Sequence, residues 1–187
     1  DPSSLSWNAI IQSWVNNCQQ QFITASLQSL FDLYLPKMIT FVEADCKPAI
    51  GSNPLFLVQN MLKIIDCFLD IIRKPDLKPN EDGDGTIEVD PLNHSLYFSL
   101  FNRNSNGKVP YITVDQQNSV FEKIFLFSLV WSFGSSLTEE GMVTFDPFFK
   151  DLIAKNNPKS QFPIKSTVYD YYYDLQKNSW LNWCDST

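Results

Sequence analysis

Between Gln116 and Ser136 the sequence sets Phe121, Ile124, Phe125, Phe127, Leu129 and Phe133 so that a helix built from them is apolar on nearly every side. A helix of that kind cannot lie on a surface, because water would meet hydrocarbon on at least one flank. It needs neighbours all round it, and the remaining sequence has to supply them.

Residues 4–18 carry Leu5, Ile10, Ile11 and Trp14 at helical spacing, which predicts a first short helix. Phe22, Ile23, Leu27, Leu30, Phe31 and Tyr34 follow on one side of a second. Pro36 should end or kink it, since proline lacks the N–H that the helix ladder uses, before Met38, Phe41 and Val42 resume the pattern. Residues 47–53, with Pro48 and Gly51, read as a loop. Asn53-Pro54 is a start signal: a capping side chain, then proline where its missing N–H does no harm. Leu55, Val58, Leu62, Ile65, Leu69 and Ile72 then recur at three and four residues until Pro75. Asp146-Pro147 repeats the start signal and predicts a helix to about Lys155.

Two stretches differ in character. From Pro75 to Asn118, Pro, Gly, Asn and Asp dominate, which predicts a long surface connection in which Leu92–Phe101 could add a helical turn or two. Thr167–Tyr173 and Ser179–Cys184, separated by Asp-Leu-Gln-Lys-Asn, read as a β-hairpin rich in Tyr and Trp.

Charge narrows the function classes. The formal net charge is −7 with only 14 Lys and Arg, thinly spread, so neither nucleic-acid phosphates nor an anionic membrane is an expected partner. The apolar run Ile124–Val130 is far short of the ~20 residues that span a bilayer, and no secretory signal opens the chain. Cys18, Cys46, Cys67 and Cys184 form no Cys-x-x-Cys pair, and buried free thiols in a reducing compartment are the plain reading. The chain opens at Asp1 without a methionine, which suggests a piece of a longer one.

There is no phosphate-loop or paired-glycine dinucleotide motif. The single histidine, His94, falls in a loop-like segment with no Gly-x-Ser-x-Gly turn and no nearby cysteine, so it reads as a surface residue. Asn80, Asp82 and Asp84 with Gly85 and Ile87 imitate the first half of a calcium loop, but the twelfth position is Pro91 where a bidentate carboxylate is needed. A calcium-responsive module using residues 80–91 is therefore the alternative function, and a plain acidic loop the favoured account. Glu139-Glu140 could work as acid and base, but beside Gly141 in a predicted loop they fit solvation or helix-start charge complementarity better. Tyr169, Tyr171, Tyr172 and Tyr173 could be a stacking platform; given the negative charge, a packed hairpin face is favoured. These residues alone give no catalytic, nucleotide-binding or metal site.

Four collinear segments carry a resemblance. Asp1-Pro-Ser-Ser-Leu-Ser-Trp7 with Ile11-Gln-Ser-Trp14 resembles the stretch of dynein heavy chains that follows the large subdomain of the second AAA+ module. Asn60-Met-Leu-Lys-Ile-Ile-Asp-Cys-Phe68 is similar to a helix of that family ending in Ile-Asp-Cys-Phe. Phe125-Leu-Phe-Ser-Leu-Val-Trp-Ser-Phe-Gly134 resembles its Phe-Leu-Phe-Ser-Leu-Ile-Trp-Ser-Val-Gly run. Phe162-Pro163, Val168-Tyr-Asp-Tyr171, Trp180 and Trp183 are similar to the strand and Trp-x-x-Trp leading to the third module. The opening form resembles axonemal, ciliary-type chains more than cytoplasmic ones.

The resemblance implies a mostly α fold: a helical lid-type bundle with a long polar insert and a C-terminal β-hairpin. Residues 1–74 would be the first part of the lid, 75–115 the insert, 116–156 its helical continuation, and 157–187 the hairpin and link to the next module. It implies a non-catalytic piece of a microtubule-based, ATP-driven motor, with ATP or ADP and Mg bound by other parts of the parent chain and none here. Expected partners are neighbouring AAA+ modules and, through the parent, microtubules and dynein intermediate and light chains. The expected location is the cytoplasm and cytoskeleton, in the ciliary axoneme. No residue matches a catalytic motif of the family; Trp7, Trp14, Trp131 and Phe127 are expected as core or module-interface anchors.

Overall fold

In a computed structural model, residues 2–18, 21–46, 53–72, 114–175 and 177–186 are described. They form helices α1 (Pro2–Asn17), α2 (Gln21–Asp45), α3 (Pro54–Ile72), α4 (Val114–Ser132) and α5 (Glu139–Asn156), then strands β1 (Tyr171–Asp174) and β2 (Ser179–Asn182). The strands pair antiparallel, with Tyr171 opposite Asn182 and Asp174 opposite Ser179. The mostly α bundle with a C-terminal hairpin is as expected. The insert, with the calcium-like loop at 80–91, Leu92–Phe101 and His94, lies outside the described residues, as does the predicted loop at 47–52.

The all-round apolar helix is α4, and it is the spine of the fold. Phe121, Ile124, Phe125, Leu126, Leu129 and Phe133 are fully buried, with α3 and α2 packed along it and β1 against it. Phe125 meets Phe31 of α2 edge-on at 5.3 Å and lies 5.7 Å from Tyr34. Two hydroxyls inside this apolar surround cost little because each is satisfied by its own helix. Ser128 donates to the Ile124 carbonyl at 2.8 Å and Ser132 to the Ser128 carbonyl at 2.6 Å.

The start of α3 is as its sequence predicts. Asn53 Oδ1 accepts the backbone N–H of Leu55 at 3.0 Å, and Pro54 opens the helix. Leu57, Val58, Met61, Leu62, Ile65 and Ile72 face the core.

At the prolines, the helical pattern expected beyond Pro36 is present, while a helix end there and a helix start at Pro147 are not. Pro36 does not end α2, which runs unbroken from Gln21 to Asp45. Pro147 does not open α5 but sits inside it. Both prolines are exposed, and so are Asp32 and Val143, four residues earlier, whose carbonyls lose their N–H partner. On the solvent side water can take that partner's place, while buried Leu35, Met38, Ile39 and Val42 hold α2 across the gap. The true start of α5 is Thr138, whose hydroxyl accepts the Gly141 N–H at 3.2 Å. Glu139 and Glu140 thus lie not in a loop but in a first helical turn, where their charge complements the helix dipole.

The tail shares the core of the helices. Phe162, Val168, Tyr173 and Leu175 are buried in the same apolar cluster as α1–α5. The four cysteines form no disulfide, but against the expectation of burial only Cys46 is buried: Cys67 and Cys184 are exposed and Cys18 is half-buried. Cys67 belongs to a helix that is apolar on one face only, and its side chain falls on the other.

Candidate functional site

Several of the polar groups that tie separate elements together lie where α4 meets the tail. Lys123 interrupts the apolar run of α4 and is only 5% exposed. Its ammonium donates to both oxygens of Asn178, the backbone carbonyl at 3.0 Å and Oδ1 at 3.1 Å. Asn178 turns the hairpin with φ of 49°, a left-handed conformation that asparagine tolerates better than most residues. The Tyr173 hydroxyl donates to the same Oδ1 at 2.9 Å. Burial lowers the Lys123 pKa, and the Glu122 carboxylate beside it works the other way. Glu122 in turn accepts the Asn157 amide at 2.9 Å, and with burial it pushes the Tyr34 phenol up to about 12, burial being the larger cause. Leu30, Tyr34, Asn118, Glu122 and Lys123 line an open groove of about 580 Å³.

A second tie lies at the far end of α5. Asp146, read from sequence as a helix cap, instead accepts the Val168 N–H at 2.7 Å and pairs with Lys150 at 3.0 Å. Lys150 also donates to the Ser166 carbonyl. Tyr169 reaches back to donate to the Gly134 carbonyl at 3.0 Å, and its phenol pKa is pushed far up, first by burial and then by Asp146.

Between these ties runs an aromatic face. Phe68 meets Phe127 at 5.5 Å, Phe127 meets Trp131 at 6.1 Å, and Trp131 meets both Tyr169 and Trp183 edge-on at 6.3 Å. Tyr172 lies against Trp183 at 4.4 Å, and Trp183 remains 48% exposed. The tyrosine strand is therefore a packed face: Tyr173 is buried, while Tyr171 and Tyr172 are half-buried. Of the four expected anchors, Trp7 is buried core, and Trp14, Trp131 and Phe127 are half-buried at its edge.

Trp14 is fixed by its indole N–H, which donates to Asp66 of α3 at 2.8 Å. Burial raises the Asp66 pKa, against the Trp14 hydrogen bond and with help from Asp70. A raised carboxyl pKa means the folded chain holds that proton more tightly than the unfolded one. Its contribution to stability is then present below the ordinary carboxyl range and lost as pH rises through the raised value. Asp66→Asn keeps an acceptor for Trp14 but cannot titrate. Urea midpoints measured across the acid range should fall less steeply with rising pH in the variant than in the parent; identical slopes would count against this role.

Bond chemistry finds little footing here. Among the described residues no three His, Cys, Asp or Glu side chains gather as a metal site, and no helix is long and apolar enough to cross a membrane. The buried thiol of Cys46 faces the Gly141 carbonyl at 3.8 Å, and burial, aided by Asp45, pushes its pKa up, away from nucleophilic thiolate. The arrangement can hold elements together and present an aromatic surface. Lys123 and Asn178 were not foreseen; the available signal was a charged pair, Glu122-Lys123, inside an otherwise apolar helical run.

Comparison with known proteins gives a family. Residues 27–101 and 92–185 match the family described as the dynein heavy chain AAA lid domain. The chain is similar to the ciliary dynein beta chain of Heliocidaris crassispina, 24% identical over 185 residues. It is also similar to dynein axonemal heavy chain 11 of Sus scrofa, 24% over 185 residues, and dynein axonemal heavy chain 12 of Rattus norvegicus, 24% over 210. In each case 99% of this chain is covered. It spans only 3% of the first two relatives and 6% of the third. No solved structure matches.

Proposed function

The chain belongs to the dynein heavy chain AAA lid domain family, and from that membership we propose that it serves as a non-catalytic lid and mechanical link between AAA+ modules of an axonemal dynein motor. The observation that carries this reading is the single core. Apolar side chains of α1 to α5 and of the hairpin belong to one buried cluster with α4 at its centre, so a displacement at one end is passed to the other through packed side chains. Residues 1–74 and 116–156 make up the lid in this reading, and residues 157–187 lead toward the next module.

The second AAA+ module is the proposed place, on the strength of the opening and tryptophan-rich segments quoted above. ATP or ADP with Mg is then held by the preceding large subdomain of the parent chain. Neighbouring modules are the direct partners. Microtubules and the intermediate and light chains are reached through the parent, in the cytoplasm and cytoskeleton of the ciliary axoneme.

The 187-residue chain is expected to show no ATP hydrolysis above buffer; robust turnover by the purified chain would sink the reading. In the parent heavy chain, Gly134→Ala should slow microtubule gliding while nucleotide is still bound. Unchanged gliding by a variant shown to have lost lid stability would count against a mechanical role.

A further inference from the structure

Among the described residues, the buried polar side-chain atoms without a partner are not scattered. Glu122 Oε1, Trp131 Nε1 and Trp180 Nε1 are buried with no hydrogen-bond partner. The first two stand on α4 where it meets the tail, and the third lies on the tail itself. The other oxygen of Glu122 holds Asn157, where the tail begins. Trp131 packs against Tyr169 and Trp183, and Trp180 packs against Phe162 at 4.8 Å and Tyr173 at 5.7 Å. The Lys123 ammonium lies at the same contact, desolvated but satisfied by both oxygens of Asn178. Within α4 itself, by contrast, Ser128 and Ser132 are both satisfied.

A buried polar group without a partner keeps its full desolvation cost, and only exposure to water removes it. Opening the contact between α4 and the tail would return Glu122 Oε1 and Trp131 Nε1 to water together. The hairpin itself has two strands of four residues and is marginal alone, so it has little reason to open strand by strand. The polar ties that its release must break include Lys123 to Asn178, Tyr169 to Gly134, Asp146 to Val168, Glu122 to Asn157 and Lys150 to Ser166.

We infer that residues 157–186 form a strap that undocks from α4 as one unit while the helices stay packed, with Lys123 and Asn178 as its latch. This goes beyond the lid reading and does not depend on it, because it concerns an opening within the chain itself. The strap gives the fold a second state, with the aromatic face of α4 uncovered and the hairpin free.

Native-state hydrogen exchange on the 187-residue chain tests it. Amides of Tyr171–Asn182 should exchange through an opening roughly a hundredfold more populated than the one that exposes α3 and α4. Asn178→Gly suits the left-handed turn but removes the acceptor shared by Lys123 and Tyr173. It should raise hairpin exchange about tenfold further and leave α3 unchanged. One common opening for hairpin and α4 would overturn the strap. A separate hairpin opening that Asn178→Gly does not alter would overturn the latch, and with it the proposal.

Discussion

Phe125→Ala is expected to cost about 4 kcal/mol of stability, a large part of what a domain of this size has. The ring is fully buried on the spine helix, and it joins α4 to α2 through Phe31 and Tyr34. Truncation removes the transfer energy of the ring and leaves a void that rigid helices on three sides cannot fill by moving. Urea denaturation should show a lower midpoint with an unchanged slope, because the same surface is still exposed on unfolding. Val143→Ala is the contrast: at 73% exposure it should shift the midpoint hardly at all. Similar losses from the two changes would mean that α4 is not the spine.

Gly134→Ala should cost about 3 kcal/mol, although it adds one methyl group. A Cβ there would stand 2.8 Å from Phe145 Cε1, 3.0 Å from the Tyr169 hydroxyl and 3.2 Å from Phe145 Cζ. The Phe145 ring is itself fully buried and stacked on Phe149 at 5.3 Å, so it has no free side toward which to yield. Tyr169 would be displaced from the Gly134 carbonyl as well. Both effects can be separated by a double-mutant cycle with Tyr169→Phe, which removes the crowding hydroxyl in advance. The glycine change should cost less in that background; equal costs would show that the phenol plays no part.

Where sequence signals were local and unopposed, they sufficed. Asn53-Pro54 needs only its own residues to cap α3, and the apolar run of α4 demands burial whatever surrounds it. Asp146-Pro147 carries the same pair of residue types and misleads, because its outcome is settled at a distance. Thr138 caps eight residues earlier in sequence, and Asp146 is drawn away by the Val168 N–H. The hairpin was legible from two stretches rich in Tyr and Trp around a polar turn, but its attachment was not. A single lysine within an apolar helix does not say which turn will supply its oxygens. Cys67 shows the same limit from the other side, since an apolar neighbourhood in sequence does not place a side chain on the buried face of a helix.

The unbroken passage of α2 through Pro36 has a bearing on the order in which the chain becomes structured. A proline in a helix interior costs about 3 kcal/mol, so residues 21–45 alone would tend to part near Asp32. What holds them in one helix comes later: buried Phe125 and its neighbours on α4, and Phe148 of α5, stacked on Phe41 at 3.6 Å. On a ribosome adding roughly 5–20 residues each second, the second half of α2 has therefore to wait many seconds for the segments that complete it. The fold is expected to assemble late and together, with nascent α2 exposed to chaperones in the interval.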